Sequence, residues 1–322
     1  MSQYYPILLA LSFLMCALSV AWILPYLRRM AKQPIYSEGP SWHLKKTGTP
    51  TMGGLSFLMT GLLCLAMLFV LRKRLFSAED TTLLLLNFLF ALLHGAIGLY
   101  DDYKKIKQKQ NEGLTPKEKL IYQTILCALY LFARVRLTSL TTEIVLFGKA
   151  FSLGFFYYPL ALFVMVGIIN CANLTDGIDG LASSVGVCIG FVFFFFSLGI
   201  SESASTLSLF MAGISLGFLL YNRHPAKIFM GDCGSLLLGA CATTIAFSLA
   251  NPFLILLVGG VYVIEGVSVV LQVFYYKKTK KRLFRMAPLH HHLEMGGMKE
   301  NGICLLGVAT TLLFSLLAYF CR

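Results

Sequence analysis

The sequence from residue 156 to residue 199 reads FYYPLALFVMVGIINCANLTDGIDGLASSVGVCIGFVFFFFSLG. Two apolar runs, 156–172 and 178–199, flank a polar corner in which Asn, Thr and Asp residues surround two glycines. A run of about 20 apolar residues is long enough to cross a bilayer as a helix. The stretch therefore predicts two membrane helices joined by a tight turn. The corner, Asn170 to Ala182, is interpreted either as a helix cap or as part of a functional site.

The rest of the chain repeats this apolar pattern. Hydrophobic residues make up 57% of the 322 residues and charged residues only 13%, which is far from the composition of a soluble domain. Because lipid offers no partner to exposed backbone groups, the spanning segments are predicted to be helical. We therefore expect an all-α integral membrane protein that forms a single polytopic domain over residues 1–322. Its ten predicted transmembrane helices lie near residues 4–27, 50–71, 81–100, 119–136, 156–172, 178–199, 203–221, 231–250, 252–275 and 302–321.

The distribution of basic residues predicts the orientation in the membrane. With ten helices, 20 of the 27 Lys and Arg residues lie on or beside the loops of one side. Short loops rich in these residues stay cytoplasmic, so both termini are predicted to be extracytoplasmic. The basic run 72–74 opposes this orientation, because it falls on the outer side.

The aspartates are concentrated on the side predicted to be cytoplasmic, where five of the six lie. Helix capping alone would place acids at both faces of the membrane, so the asymmetry predicts one polar site at the cytoplasmic surface. Asp101 and Asp102 are adjacent at a predicted helix C-terminus, where they oppose the helix dipole. Neighbouring lysines or a divalent metal ion would offset the negative charge of these two carboxylates. Asp232 opens a predicted helix between two glycines, either as an N-terminal carboxylate or as a metal ligand.

Two other stretches carry polar groups suited to an anionic ligand. Residues 43–54, HLKKTGTPTMGG, offer basic side chains, hydroxyls and glycine N–H groups to a phosphate or a nucleotide. The alternative is a basic membrane anchor followed by a Pro-led helix start. The consecutive His290, His291 and His292 cannot all point one way, which argues against a helical zinc site and favours hydrogen bonds to phosphate.

The remaining features are predicted to be structural. The nine cysteines lack a C-x-x-C pair and are expected to pack as small apolar residues, and His94 is interpreted as a packing residue. Glu265, near the middle of a predicted span, should be protonated, paired or in a polar interior. Residues 141–156 alternate in polarity and predict a short external hairpin. The net charge of +12 suits contact with anionic lipids or with an anionic substrate. Nucleic-acid binding is not predicted, because the sequence contains no basic soluble module to carry it.

Five motifs occur along the chain in a fixed order: GTPTMGG at 48–54, DDYKK at 101–105, NLTDGIDG at 173–180, FMGDCGS at 229–235 and APLHHHLE at 287–294. Taken together and in this order, they resemble the phospho-N-acetylmuramoyl-pentapeptide transferases, also called translocase I, within the polyprenyl-phosphate N-acetylhexosamine-1-phosphate transferase superfamily. Relatives that transfer N-acetylglucosamine phosphate usually carry a His-Ile-His-His motif in place of the three consecutive histidines.

This resemblance implies a reaction in the bacterial cytoplasmic membrane. Phospho-MurNAc-pentapeptide would pass from its UDP carrier to undecaprenyl phosphate, with Mg²⁺ as cofactor, to give lipid I and UMP. Direct attack by the lipid phosphate is favoured over a covalent aspartyl-phosphate route, with Asp101 or Asp102 as base. The family also implies a homodimer. The alternatives are a related transferase that uses UDP-GlcNAc and an ion-coupled transporter, although transporters usually place carboxylates near the bilayer midplane.

The resemblance also assigns roles by position. Asp101, Asp102, Asp232 and His290 match catalytic positions, and Asp232 matches the metal ligand. The substrate-binding positions match Lys46, Thr51, Lys105, Lys117, Asn170, Asn173, Asp176, Asp179, Asn222, Phe229, Gln272, His291 and His292.

Overall fold

The chain folds as a bundle of α-helices with one small β-hairpin, described by a computed structural model over residues 4–30, 46–108, 113–146, 148–249 and 251–321. Residues 43–45 of the first predicted ligand-binding stretch lie outside these ranges. The described helices are α1 (Tyr5–Met30), α2 (Leu55–Leu75), α3 (Ala78–Gln108), α4 (Pro116–Leu137), α5 (Tyr157–Thr175), α6 (Leu181–Ser197), α7 (Glu202–Asn222), α8 (Gly231–Ala246), α9 (Ile255–Val258), α10 (Gly260–Thr279), α11 (Leu289–Glu294) and α12 (Glu300–Cys321).

Each of the ten predicted membrane segments coincides with a helix or a helix pair, which confirms the helical membrane class. Six helices in the described residues are long and apolar enough to cross a membrane: α1, α3, α4, α7, α12, and α5 with the turn before it. The apolar helices Leu55–Leu71, Leu181–Ser197 and Gly231–Ala246 are shorter. At 1.5 Å per residue they reach about 25 Å, less than the roughly 30 Å of a hydrocarbon core. Ten crossings and the side of the termini therefore stay predictions.

The ninth predicted span, 252–275, is a bent pair of helical segments and not one straight helix. The segments Pro252–Val258 and Gly260–Thr279 meet at an angle of 76°. Gly259 leaves the helical conformation at the junction, with φ −86° and ψ 22°. A glycine makes this change easier, because it has no Cβ to hinder it. Counted as one span, the bent pair is the seventh candidate crossing among the described residues.

The predicted hairpin is confirmed. Strands β1 (Glu143–Leu146) and β2 (Lys149–Ser152) pair in antiparallel register, with Glu143 opposite Ser152. The side chain of Asn251 donates a hydrogen bond of 2.6 Å to the carbonyl of Val145, which ties the hairpin to the segment after α8. The hairpin thus closes one end of the bundle between α4 and α5.

Helix α8 forms the centre of the bundle, and it packs against α3, α5 and α7. Every residue from Cys233 to Ala246 is buried. The first turn of α8 is approached closely by two other segments. A Cβ on Gly98 of α3 would overlap the carbonyl of Asp232, and one on Gly54 would overlap the backbone of Gly234. These contacts bring the chain segments that carry the acidic motifs into one place.

The outer helices expose large apolar side chains, as expected of surfaces that face lipid. Examples are Leu14 on α1, Phe132 on α4, Phe274 on α10 and Leu313 on α12. The nine cysteines are free thiols, and most are buried. His94 is fully buried, with Nδ1 3.0 Å from the carbonyl of Phe90, which confirms its interpretation as a packing residue.

Substitution of Gly98 by Ala is expected to destabilise the protein, because the added methyl group cannot fit against the backbone of Asp232. Overpacking of this kind costs about 1–3 kcal/mol. The melting temperature in detergent measures it. The matched control is Gly167→Ala in α5, where a Cβ meets no atom within 4 Å. If Gly98→Ala had the same melting temperature as the control variant, the close approach of α3 to α8 would be contradicted.

Candidate active site

Three carboxylates meet where α3 ends and α8 begins. Asp101 and Asp102 lie near the end of α3, and Asp232 lies in the first turn of α8. One oxygen from each residue lies within 4.8 Å of the others. Asp101 and Asp102 are buried, whereas the side chain of Asp232 is 15% exposed. The prediction that these acids form one site is therefore supported by their positions.

The carboxylate of Asp102 caps helix α8. It accepts hydrogen bonds from the backbone N–H groups of Asp232, at 3.2 Å, and Cys233, at 3.0 Å. The N-terminal N–H groups of a helix have no partner within the helix and favour a negative charge. Asp102 supplies that charge from α3. Asp232 is thus free of the capping role that its sequence position suggested.

Two lysines lie between the carboxylates. Lys105 Nζ is 2.6 Å from Asp101 Oδ2 and 3.0 Å from Asp232 Oδ2. Lys119 Nζ is 2.5 Å from Asp232 Oδ2 and 3.5 Å from Asp101 Oδ2. Two ammonium groups against three carboxylates leave the cluster with an excess of negative charge, which can bind a further cation or a polar donor.

Lys119 was missed as a site residue, and the sequence had pointed to Lys117 instead. Lys117 is exposed. The start of α4 determines this difference: Thr115 and Glu118 form a capping box, with Thr115 accepting the N–H of Glu118 and Glu118 accepting that of Thr115. A capping box fixes where a helix begins, but the face of α4 that meets the acidic cluster depends on how the helix packs in the bundle.

The polar corner that opened the sequence analysis contacts the same cluster. Asn173 Nδ2 donates hydrogen bonds of 2.8 Å to Asp232 Oδ1 and to Ser235 Oγ. Burial, and next the charges of Asp232 and Asp102, raise the pKa of Asp176 well above its ordinary value, although a hydrogen bond from the Gly231 N–H lowers it. The corner is therefore one wall of the acidic site and is not only a helix cap.

A second group of charges surrounds Asp179. Its Oδ1 and the Oε2 of Glu300 each lie 2.8 Å from Lys46 Nζ. Its Oδ2 lies 3.0 Å from His224 Nδ1 and accepts the N–H of Ala226 at 3.0 Å. Lys46 and Asp179 are thus brought together, as the family pattern implied. The sequence analysis did not identify Glu300 or His224 as site residues. The only sequence feature that could have indicated them is their position, as charged or polar residues at the edge of an apolar span.

The three histidines contact different partners, although the ring centroids of His290 and His291 lie 4.2 Å apart. His290 is fully buried, with Nδ1 3.1 Å from Glu265 Oε2, and its backbone N–H donates to the same oxygen at 3.2 Å. His291 Nδ1 lies 3.1 Å from Glu294 Oε2. Of the three states predicted for Glu265, the structure shows the paired one. A Cβ on Gly177 would overlap the His290 ring, so this glycine lets the ring pack against the polar corner.

Four of the predicted substrate-binding residues hold loops and helices together through hydrogen bonds. Asn222 accepts the Gly180 N–H at 3.1 Å and donates to the Ile228 carbonyl at 3.0 Å. The remaining contacts are those of Asn170 with Gln123 and Val166, of Gln272 with the N–H groups of Leu283 and Phe284, and of His292 with the N–H of Arg285.

Thr51 and Phe229 lie where the chain segment before α2 meets the segment before α8. The Phe229 N–H donates to the Pro50 carbonyl at 2.8 Å, and the Phe229 carbonyl accepts the Gly53 N–H at 2.9 Å. This extended pairing delays α2 to Leu55, whereas a helix start near residue 50 was predicted. The Thr51 hydroxyl is buried beside Gly231 and finds no hydrogen-bond partner among the described residues.

The donor atoms of the first cluster fit a hard divalent cation. Asp101, Asp102 and Asp232 offer only carboxylate oxygens, which suit Mg²⁺ better than a metal that prefers nitrogen or sulfur. The group of Asp179, His224 and Glu300 also has the spacing of a metal site, but one of its three ligand atoms is an imidazole nitrogen, which suits Mg²⁺ less well than a third carboxylate. The acidic cluster at α3 and α8 is therefore the better candidate for a metal.

Similar proteins agree with the motifs. The model of glycosyl transferase family 4 matches residues 84–250. A protein of Halalkalibacterium halodurans is 40% identical, over 97% of this chain and 95% of its own length. Relatives from Clostridium acetobutylicum and Bacillus subtilis are 41% and 39% identical, each over 96% of this chain and 96% and 95% of their own lengths. All three are named phospho-N-acetylmuramoyl-pentapeptide-transferase. The chain therefore belongs to glycosyl transferase family 4, and within it to the phospho-N-acetylmuramoyl-pentapeptide-transferase family.

Proposed function

We propose that this protein transfers phospho-MurNAc-pentapeptide from UDP-MurNAc-pentapeptide to undecaprenyl phosphate, which gives lipid I and UMP. The observation that carries the proposal is the cluster of Asp101, Asp102 and Asp232 with two lysines between them, in a chain whose relatives bear this transferase name over nearly their full length. The reaction takes place at the cytoplasmic face of the bacterial cytoplasmic membrane, and the enzyme is a homodimer, as the family resemblance implies.

The site must offset the repulsion between the two substrates, because both carry negatively charged phosphates. Lys105 and Lys119 supply two cations next to Asp232. Mg²⁺, held by Asp232, would offset the remaining negative charge and stabilise the phosphate oxygens during transfer. Asn173 holds Asp232 Oδ1 in a fixed orientation through a hydrogen bond of 2.8 Å. The arrangement thus supports phosphoryl transfer by positioning and electrostatic stabilisation.

Asp101 is the better candidate for the base that removes a proton from the lipid phosphate. Both oxygens of Asp102 are used by the N–H groups of α8. Asp101 Oδ1 accepts the Leu114 N–H at 2.7 Å, but its Oδ2 faces the lysines, which can exchange places with substrate groups. General-base catalysis is typically worth about 10²–10⁴-fold. In this division Asp101 moves the proton and Asp102 keeps the helix in place.

The donor nucleotide is assigned to the neighbouring surface. Lys46, Thr51 and Phe229 line its nucleoside side, and Asp176 and Asp179 order the turn that faces it. His290 holds the segment after α10 against this turn, where its ring packs on Gly177. His291 and His292 are assigned to the substrate side of this segment by the family resemblance.

The direct test mixes the purified protein with undecaprenyl phosphate, Mg²⁺ and one of two donors, and follows UMP. UDP-MurNAc-pentapeptide should release UMP, whereas UDP-GlcNAc should not. Release with UDP-GlcNAc alone would favour the related transferase. No UMP with either donor would defeat the assignment as an enzyme and return the transporter to consideration.

Two aspartate substitutions separate metal binding from donor binding. Asp232→Asn should abolish Mg²⁺-dependent turnover, because one carboxylate charge at the metal is lost. Asp179→Asn should chiefly raise the KM for the donor, since Asp179 contacts Lys46 and not the acidic cluster. Steady-state kinetics at several Mg²⁺ concentrations measure both effects. The opposite pattern would exchange the two roles.

A pair of lysine substitutions tests which lysine of α4 belongs to the site. Lys119→Met removes a cation 2.5 Å from Asp232 and should lower kcat by at least about tenfold, because Lys105 alone would then offset three carboxylates shielded from water. Lys117→Met removes an exposed side chain from the same helical turn and should have a much smaller effect. Equal losses in the two variants would place Lys117 in the site as well.

A further inference from the structure

Glu300, the first residue of α12, has contacts that its exposed and mostly apolar helix does not explain. We propose that Glu300 is a positioning residue for the donor side of the active site, where it fixes both Lys46 and the turn 176–180. This inference rests on the proposed function, because it assumes that Lys46 and the turn meet the donor. Glu300 itself is not assigned any contact with the substrate.

One carboxylate oxygen of Glu300 joins two separate chain segments. Its Oε2 accepts a hydrogen bond of 2.8 Å from Lys46 Nζ and another of 2.8 Å from the backbone N–H of Asp179. The other oxygen, Oε1, lies 3.3 Å from His224 Nδ1. The side chain of Glu300 is only 7% exposed, so these bonds are largely shielded from water. Its carboxylate therefore acts as a common acceptor for three segments that are distant in sequence.

The charges show why a carboxylate is needed at this place. Lys46 Nζ lies between Asp179 Oδ1 and Glu300 Oε2 at equal distances of 2.8 Å. With Asp179 alone, the ammonium group would be held from one side and could turn away on its flexible side chain. With both acids, it is held from two sides. Asp179 Oδ2 is satisfied separately by Ala226 N–H and His224, so it does not compete for the lysine.

The bond to the Asp179 N–H extends the contacts of Glu300 to the polar corner of the active site. Asp179 lies in the turn 176–180, and Asn173, just before this turn, donates a hydrogen bond of 2.8 Å to Asp232 Oδ1. The next N–H of the turn, that of Gly180, is held by Asn222. One turn along α12, the Cys304 thiol donates to the Asp179 carbonyl at 3.3 Å. The start of α12 thus fixes the backbone on both sides of the Asp179 side chain.

The test compares Glu300→Gln with the wild-type enzyme. The variant keeps the shape of the side chain but loses the charge that attracts Lys46. We expect the KM for UDP-MurNAc-pentapeptide and the dissociation constant of UMP, measured by calorimetry, to rise about tenfold, the usual effect of losing a charged hydrogen bond. The KM for undecaprenyl phosphate and the melting temperature should stay near the wild-type values, and kcat should change less than the donor KM.

The matched control is Glu202→Gln at the opposite end of α7 from Asn222. Glu202 also accepts two hydrogen bonds through one oxygen, from the hydroxyls of Tyr4 and Tyr5. It lies about 30 Å from the site, the length of a helix of some 20 residues. Loss of its charge should leave the donor KM and UMP binding unchanged. An equal effect in the two variants would mean that Glu300 acts only through general stability.

A second variant separates positioning from a structural role. If Glu300 acts through Lys46, then Lys46→Met should also raise the donor KM. In the double variant, the dissociation constant of UMP should rise by less than the product of the two fold-changes measured in the single variants. The positioning role would be overturned if the two fold-changes multiplied in the double variant, or if Glu300→Gln left the donor KM unchanged. These results differ from failure of the proposed function, in which the wild-type protein itself would release no UMP from UDP-MurNAc-pentapeptide.

Discussion

The hydrogen bonds from the start of α8 to the carboxylate of Asp102 are the contact on which the acidic site depends. They join the end of α3 to the central buried helix. They can form only because Gly98 lets α3 approach the backbone of α8. A charged acceptor at a helix N-terminus is stabilised by the free N–H groups there. Asp101 and Lys105, on the same turn as Asp102, are thereby placed against Asp232.

The rest of the site follows from the need to balance charge away from water. Asp101 and Asp102 are buried, and an unpaired buried carboxylate is costly. Lys105 and Lys119 reduce the charge without removing it, so the cluster keeps an affinity for a cation. Around Asp179, Lys46 and two backbone N–H groups offset two carboxylates, and His224 adds an imidazole nitrogen to the group. The ligand atoms of the two groups therefore suit different tasks, metal binding in the first and orientation of the donor side in the second.

The sequence was sufficient for the fold class and for most of the acids, because hydropathy identifies apolar helices and the aspartates lie between them. It was insufficient for Lys119. Two residues that are two positions apart on a helix, such as Lys117 and Lys119, point in directions about 200° apart, and the sequence does not show which face of α4 meets the site. The pairing of Glu300 with Lys46 joins residues 254 positions apart, and no local pattern encodes it. The bend at Gly259 lies next to Gly260, which packs closely on Phe314 of α12, and a contact of this kind joins distant parts of the chain that no local pattern reveals.

The site combines one rigid element with several peripheral ones. Asp232 stands on α8, whose residues are all buried from Cys233 onwards, so its position is fixed by packing. Lys119, Glu265 and Glu300 reach the site from α4, α10 and α12, whose other faces are exposed. The carboxylate assigned to the metal is therefore on the central helix, and the outer helices supply the groups that hold its surroundings in place, with Lys119 against Asp232 and Glu300 against Lys46 and the turn 176–180.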